Sequence, residues 1–149
     1  MLVREAQLND ICGLLKLYSQ LLPNETFDPN ISVRTLEEIC RNNDYHIIIV
    51  IVNGMIVSTC TLVIIKNITH RCKPFGILEN VVTETAERGH GYGKIALGKA
   101  IDIAIANQCH KIMVQTKRRE KYVLDFYKSC GFSTDLSTGL MMNLEVNYE

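Results

Sequence analysis

One short stretch of the sequence has the residue types of an anion-binding turn. Residues 87–94 read Glu-Arg-Gly-His-Gly-Tyr-Gly-Lys, with three alternating glycines between two cations, Arg88 and Lys94. The stretch lies between a strand-like and a helix-like pattern, so its main-chain N–H groups would lie at a helix start, which favours anions. Glycine lets a phosphate approach the backbone without interference from a Cβ atom. A tight turn that binds nothing is the competing interpretation, and the flanking cations favour the phosphate site.

The spacing of these glycines excludes two common nucleotide motifs. The Walker pattern needs GxxxxGK followed by Ser or Thr, and the dinucleotide pattern GxGxxG fails because the third glycine comes one position early. The stretch does match a third pattern, Arg or Gln-x-x-Gly-x-Gly or Ala, through Arg88, Gly91 and Gly93. A second motif lies downstream, where residues 126–132 read Phe-Tyr-Lys-Ser-Cys-Gly-Phe.

On these two motifs the chain resembles the GNAT superfamily of acetyl-CoA-dependent N-acetyltransferases. The segment 77–83 is similar to the family's fourth strand, and 125–132 is similar to its late helix with the motif FYxxxGF. Two positions depart from the family pattern. Thr85 stands where a proline is common, and 117–122 lacks an asparagine that often precedes the late helix.

The resemblance implies a site for acetyl-CoA, the acetyl donor. Backbone groups of Val81, Val82 and Thr83 would pair with the pantetheine arm as a strand does, and a main-chain N–H there, next to a β-bulge, would polarise the thioester carbonyl. The glycine turn would hold the pyrophosphate, through Arg88, Gly89, His90, Gly91, Tyr92, Gly93 and Lys94. No metal is expected, because the close pair His70 and Cys72 lacks a second pair of ligands.

The resemblance also implies the catalytic groups. Tyr127 matches the tyrosine of the family's late motif, and a phenol stays protonated near neutral pH, so it can donate a proton to the leaving thiolate. Glu79, on the strand that faces the cofactor, can accept the proton of the substrate ammonium directly or through water. A purely electrostatic role for Glu79 remains open. His90 is an alternative base, but its unspecified position in the turn favours a solvent-facing side chain.

The periodicity of the sequence supplies the elements that would hold these residues. The order β-α-α-β-β-β-α-β-α-β indicates one mixed-sheet α/β domain over residues 1–149. It is also the order of the GNAT fold, whose mostly antiparallel sheet is flanked by helices and whose strands 4 and 5 splay apart. The predicted strands are 1–5, 45–52, 55–66, 75–83, 111–116 and 140–146, and the predicted helices run from 9 or 10 to 22, from 32 to 42 or 43, from 89–93 to 107, and over 120–129.

Composition narrows the classes of protein further. Sixteen basic and sixteen acidic residues cancel, which disfavours a nucleic-acid binder. The longest apolar run, 47–52, is far short of the roughly 20 residues needed to span a bilayer. The N-terminus lacks the pattern of a signal peptide, so we expect no membrane partner and a cytoplasmic protein. The six cysteines are widely spaced and are expected to be reduced, most of them as small core residues.

The function implied is transfer of an acetyl group to the primary amine of a small molecule, by direct attack in a ternary complex. A protein N-acetyltransferase and a non-catalytic acyl-CoA-binding module are the alternatives. A nucleotide-phosphate binder is disfavoured by the motif mismatch. A homodimer remains one option for the assembly.

The amine acceptor is the least defined part. Three segments resemble the glucosamine-phosphate acetyltransferases within the superfamily: 78–82, 109–112 and 128–132. Charge points the other way, since residues 1–87 carry seven basic and ten acidic side chains. A sugar phosphate would need basic partners such as Arg34, Arg71 or Lys73. The charge therefore favours a cationic or neutral amine.

Overall fold

A computed structural model describes residues 1–144 and places their strands in a single sheet of order β1-β2-β3-β4-β5. The neighbours are antiparallel from β1 to β4, and β4 and β5 are parallel. The predicted mixed, mostly antiparallel sheet is confirmed. The strands are β1 (Leu2–Glu5), β2 (Tyr45–Val52), β3 (Met55–Ile65), β4 (Phe75–Thr83) and β5 (Ile112–Val114).

The helices fall into two compact units of the chain. The unit Met1–Val114 holds the sheet together with α1 (Ile11–Leu21), α2 (Pro29–Cys40) and α3 (Tyr92–Ala106). It also holds 3-10 turns at Leu8–Asp10 and Thr85–Glu87 and one helical turn at Thr69–Cys72. The unit that begins at Gln115 holds α4 (Lys121–Ser129). No helix within residues 1–144 is both long and apolar enough to cross a membrane.

Both faces of the sheet are covered, which explains why β2 is almost continuously apolar. Side chains alternate between faces along a strand, and Leu14 of α1 and Leu36 of α2 pack with Ile47 and Ile49 on one face. The helix α3 contacts β2, β3 and β4. Its small buried residues suit close packing against a sheet, and they are Ala96, Ala100 and Ala104.

The local signals locate most elements to within a few residues, and the start of α2 is predicted three residues too late. We expect this helix from Ser32, but it begins at Pro29. The Asp28 carboxylate accepts hydrogen bonds from the N–H groups of Asn30 and Ile31, at 2.8 and 3.0 Å. An aspartate at the N-cap followed by proline at the first helical position is a stronger start signal than the serine.

Two further expectations need correction. The last strand, expected at 140–146, is not formed over 140–144, and residues 145 and 146 lie outside the described part of the chain. All six cysteines are free, but only Cys60 is buried, whereas Cys12, Cys40 and Cys72 are exposed. Most of the cysteines are therefore not core residues.

Candidate functional site

A β-bulge interrupts β4 where the sequence analysis expects the pantetheine arm to bind. The register runs from Thr61 opposite Glu79 to Thr59 opposite Val82, so β4 has one residue more than β3 across this step. Asn80, inside the bulge, has a φ of 52°. Asparagine tolerates this left-handed conformation better than most residues. A bulge turns main-chain groups away from the regular ladder, so they can meet a ligand.

The edge of β4 beyond the bulge is not covered by β5. Within Met1–Val114 the two strands pair only over Gly76–Leu78 and Ile112–Val114, while β4 continues to Thr83. A strand edge with free N–H and C=O groups can pair with an extended molecule. The residues expected to contact pantetheine, Val81–Thr83, lie in this uncovered part of β4.

The glycine turn leads directly from this edge into α3. Gly89 and Gly91 have φ values of 85° and 83°, and a Cβ atom added at either would meet no other atom within 4 Å. The N–H of Ile95 donates to the carbonyl of Gly91 at 3.1 Å. The amides of Tyr92, Gly93 and Lys94 therefore precede the helix's own hydrogen-bond ladder. Space, free amides and the helix dipole fit a pyrophosphate.

Side chains around the turn add positive charge. Arg88 and Lys94 are exposed, and Nε of Arg88 donates to the carbonyl of Thr83 at 3.2 Å. This bond fixes a guanidinium beside the end of β4. The ring of His90 is exposed and stacks on Tyr92, with centroids 5.8 Å apart, and its Nδ1 lies 3.1 Å from the carbonyl of Glu87.

A polar bridge joins α1 to the start of the glycine turn. Nζ of Lys16 lies 3.1 Å from the Glu84 carboxylate, which also accepts a hydrogen bond from Nε2 of Gln20 at 2.9 Å. Oε1 of Gln20 accepts from the N–H of Thr85 at 3.0 Å. Hydrogen bonding from Lys16 is the main reason that the pKa of Glu84 lies below its ordinary value. We call Lys16, Gln20, Glu84 and Thr85 the Glu84 bridge.

The expected proton acceptor, Glu79, is exposed on β4 and lies opposite Thr61. Residues directly opposite in an antiparallel pair project from the same face. Glu79 therefore shares the sheet face of Thr61 and Ile47, which is the face covered by α1 and α2.

That face holds a cavity of about 310 Å³ among α1, the α1–α2 loop, α2 and the sheet. Its walls are mainly apolar, and Asn80 of the bulge, Thr61 and Tyr18 contribute polar groups. Burial raises the pKa of Tyr18, and the nearby hydroxyls of Thr61 and Thr59 offset part of that rise. The cavity thus reaches from the α1–α2 loop to the β4 bulge.

Tyr127, the expected general acid, lies in α4 of the second unit. Its ring packs edge-to-face against Phe126 and Phe132, with centroids 5.1 and 6.0 Å away. The carbonyl of Tyr127 accepts from the N–H of Phe132 at 3.1 Å. The aromatic and glycine residues of the late motif thus fix the tyrosine within its own unit, and its role as an acid stays a prediction.

Comparison with known proteins decides the family. A model of the acetyltransferase (GNAT) family matches residues 13–132. The chain belongs to this family. The glucosamine 6-phosphate N-acetyltransferase of Arabidopsis thaliana is 30% identical in an alignment of 129 residues that covers 81% of this chain and 81% of its own.

Solved structures agree with this GNAT assignment. A protein of Agrobacterium tumefaciens, provisionally named an acetyltransferase, is 34% identical, with a TM-score of 0.91 over 96% of this chain and 99% of its own. The crystal structure of the Arabidopsis thaliana glucosamine-6-phosphate N-acetyltransferase covers 97% of this chain and 98% of its own with a TM-score of 0.86; at 24% identity it supports the fold alone.

Two features of this GNAT chain were missed by sequence reasoning. The Glu84 bridge joins residues more than sixty positions apart, and its polar side chains carry no local pattern. The cavity is formed largely by apolar residues, and those on the two helices look like ordinary core positions in the sequence. Only the Asp28-Pro29 helix start, which fixes where α2 begins, could have located one of its walls more accurately.

Proposed function

We propose that this GNAT acetyltransferase moves an acetyl group from acetyl-CoA to the primary amine of a small molecule. The proposal is supported by one continuous segment of the chain, which runs from β4 through the glycine turn into α3. Within Met1–Val114, a strand edge that β5 leaves unpaired, with a bulge at Asn80, is followed by a turn in which Gly89 and Gly91 leave open space before the first amides of α3. Such a path suits a donor that has an extended amide arm and a pyrophosphate.

Direct attack requires that the donor is held, the amine is neutral, the oxyanion is stabilised and the thiolate is protonated, and each requirement has a candidate group in this chain. On attack the amine nitrogen bonds to the acetyl carbon, the carbon–sulfur bond breaks, the nitrogen releases one proton and the sulfur gains one. Before attack the substrate ammonium must lose a further proton. Glu79 takes the proton, directly or through water, and Tyr127 supplies one to the sulfur. A main-chain N–H at the bulge stabilises the oxyanion, a contribution of roughly 3 kcal/mol.

The phosphates of the donor would be held by Arg88 to Lys94. The amides at the start of α3 supply directional hydrogen bonds, and Arg88 supplies charge beside the end of β4. The Glu84 bridge fixes the entrance of this turn against α1. The cavity on the α1–α2 face ends at the bulge, so an acceptor bound there would reach the donor's acetyl group.

A direct assay tests the proposal. Purified protein with acetyl-CoA and a panel of primary amines should release free thiol only when both are present, and mass spectrometry should find the N-acetyl product. Acetyl-CoA alone should raise the thermal midpoint of unfolding, whereas ATP should not. Stabilisation without turnover on any small amine or peptide would leave the non-catalytic acyl-CoA-binding module as the better reading.

A further inference from the structure

The residues that line the cavity beside the bulge restrict the kind of acceptor that it can hold. Within the described part of the chain, its lining includes no Lys, Arg or His side chain. Its one charged lining residue is Glu25, a carboxylate in the loop between α1 and α2. A phosphate ester needs cationic or strongly donating partners, and this cavity offers it a negative charge instead.

The basic residues that could have served a sugar phosphate lie elsewhere. Arg34 is exposed on α2 and does not line the cavity. Arg71 and Lys73 lie in the connection between β3 and β4 and do not line it either. The cavity therefore lacks the cationic partners that a sugar phosphate, the substrate named for the Arabidopsis relative, would need.

The walls of the cavity fit a hydrocarbon or aromatic body. Leu14, Leu36 and Ile47 form its buried side, and Phe27 lies against Tyr18 with ring centroids 6.5 Å apart. A polyhydroxylated sugar buried against these groups would lose hydrogen bonds to water without replacement. The volume of about 310 Å³ is at the low end of small-molecule sites.

Two polar groups of the cavity lie at the end where the chemistry would occur. Asn80 and Thr61 lie at its sheet end, and Glu79 projects from the same face one residue before Asn80. An amine at this end would meet the candidate proton acceptor, while the rest of the molecule occupied the apolar part. Glu25 in the loop adds a charge that attracts a cation and repels an anion.

We propose that the acceptor is a small primary amine with an apolar or aromatic body and no anionic group. This inference rests on the proposed function for the transfer itself. It adds to that function the chemical class of acceptor that the cavity on the α1–α2 face selects.

Three amines with a saturated six-membered ring, and a fourth with an aromatic ring, separate the chemical features. Cyclohexylamine has the apolar ring, glucosamine adds hydroxyls, and glucosamine 6-phosphate adds the phosphate; 2-phenylethylamine extends the apolar body. Thiol release at saturating acetyl-CoA should give a kcat/KM for cyclohexylamine and 2-phenylethylamine about tenfold or more above that for glucosamine, with the sugar phosphate lowest. A higher kcat/KM for either amino sugar would overturn the proposed acceptor class and leave the acetyltransferase function standing.

A cavity-filling variant ties the preference to this site. Thr35 lines the cavity from an exposed position of α2, and its neighbour Arg34 is exposed but does not. Thr35→Phe should raise the KM for 2-phenylethylamine by about fivefold or more without changing the KM for acetyl-CoA, whereas Arg34→Phe should change neither. Equal effects of the two variants would remove the cavity as the acceptor site.

A binding measurement separates this inference from the proposed function. Saturation-transfer NMR on the wild-type protein with CoA present should detect 2-phenylethylamine, and Thr35→Phe should weaken the signal. Binding without any turnover would refute the proposed function while supporting the ligand class. Turnover of 2-phenylethylamine that Thr35→Phe leaves unaltered would support the function and refute this site.

Discussion

Tyr127 is the residue on which the distinction between an enzyme and a binding module depends. Its ring packs edge-to-face against Phe126 and Phe132 within the late motif. Tyr127→Phe keeps this ring and should therefore keep the aromatic packing. The variant lacks the hydroxyl group that would donate a proton to the departing thiolate.

We expect Tyr127→Phe to lower kcat by roughly 10²- to 10⁴-fold, the range for losing a general acid, with the Kd for acetyl-CoA nearly unchanged. Tyr122→Phe removes a phenol from an exposed position of the same helix and is the matched control. Stopped-flow turnover and calorimetric binding measure the two quantities. If both variants kept wild-type turnover, water would be the proton source and Tyr127 would have only a packing role.

Glu79 poses a different problem, because a carboxylate can act as a base or merely attract the ammonium. A substrate ammonium with a pKa of about 10 is mostly protonated at pH 7. If Glu79 accepts the proton of the ammonium, Glu79→Gln should lower kcat/KM strongly at pH 7. The kcat/KM of this variant should recover as the pH rises, because free amine becomes available. Glu38→Gln, at an exposed position of α2, should follow the wild-type profile. A constant loss at every pH would assign Glu79 to electrostatic attraction alone.

At the scale of single elements, the glycine turn allows a test in which strain is controlled. Gly91→Val should weaken acetyl-CoA binding by about tenfold or more, because the side chain would enter the space left for the phosphate. Gly54→Val is a matched control: the φ values are 83° and 79°, both surroundings are open, and Gly54 lies in the β2–β3 turn. Backbone strain should cost both variants similar stability. Equal loss of binding in both would contradict the cradle assignment.

The Glu84 bridge gives the second prediction at this scale. The pKa of Glu84 is depressed in the folded protein, chiefly by hydrogen bonding from Lys16. Its stabilising contribution is therefore present above the ordinary value of 4.5 and is lost as pH falls through the folded-state pKa. Glu84→Gln should lower the free energy of unfolding by about 1–2 kcal/mol at pH 7, and the difference from wild type should shrink in acid.

The control for Glu84 is an ion pair of the same type on the surface. Glu37→Gln breaks an i,i+4 contact with Arg41 and should cost about 0.5 kcal/mol or less. Because the bridge holds the entrance to the glycine turn, Glu84→Gln should also raise the KM for acetyl-CoA, and Glu37→Gln should not. Urea unfolding at pH 7 and pH 4 supplies the stability values. A loss in Glu84→Gln that did not depend on pH would rule out the charged bridge as its origin.

These elements also show which parts of the molecule the sequence determines locally. The turn at Asn53 and Gly54, both with positive φ, follows from residue type alone, and the strand Phe75–Thr83 has the bounds predicted from the sequence. The bulge at Asn80 does not, because it is a mismatch between two strands and cannot be seen in one of them. The cavity is still less visible, since its size depends on how far α1 and α2 stand from the sheet.

For the molecule as a whole, the equal numbers of acidic and basic residues conceal a useful separation. The anion-binding candidates Arg88 and Lys94 lie at the start of α3, whereas Glu25 and Glu79 lie on or beside the α1–α2 face. An anionic donor and a cationic acceptor would each meet opposite charge. A net charge of zero is thus compatible with two electrostatically distinct regions in one chain.

Cys60 offers a probe of the whole sheet. It is fully buried in β3, opposite Ile48, and burial raises the pKa of its thiol to about 12. Since only the thiolate reacts, about 1 in 10⁴ Cys60 groups would be ionised at pH 8 even if a reagent could enter. Cys12, which is exposed on α1, meets neither obstacle. Cys60 should therefore react with a maleimide only when the sheet opens.

We expect peptide mass spectrometry to find Cys12 labelled within minutes and Cys60 labelled on the much slower time scale of unfolding. Acetyl-CoA at about 100 times its Kd should slow the labelling of Cys60 by about 100-fold, because a ligand that binds only the folded state lowers the unfolded population by that factor. Labelling of Cys12 should not change, which excludes a direct effect on the reagent. If Cys60 reacted as rapidly as Cys12, burial in the sheet would not protect it. If bound acetyl-CoA left the labelling rate of Cys60 unaltered, opening of the sheet would not be coupled to the donor site.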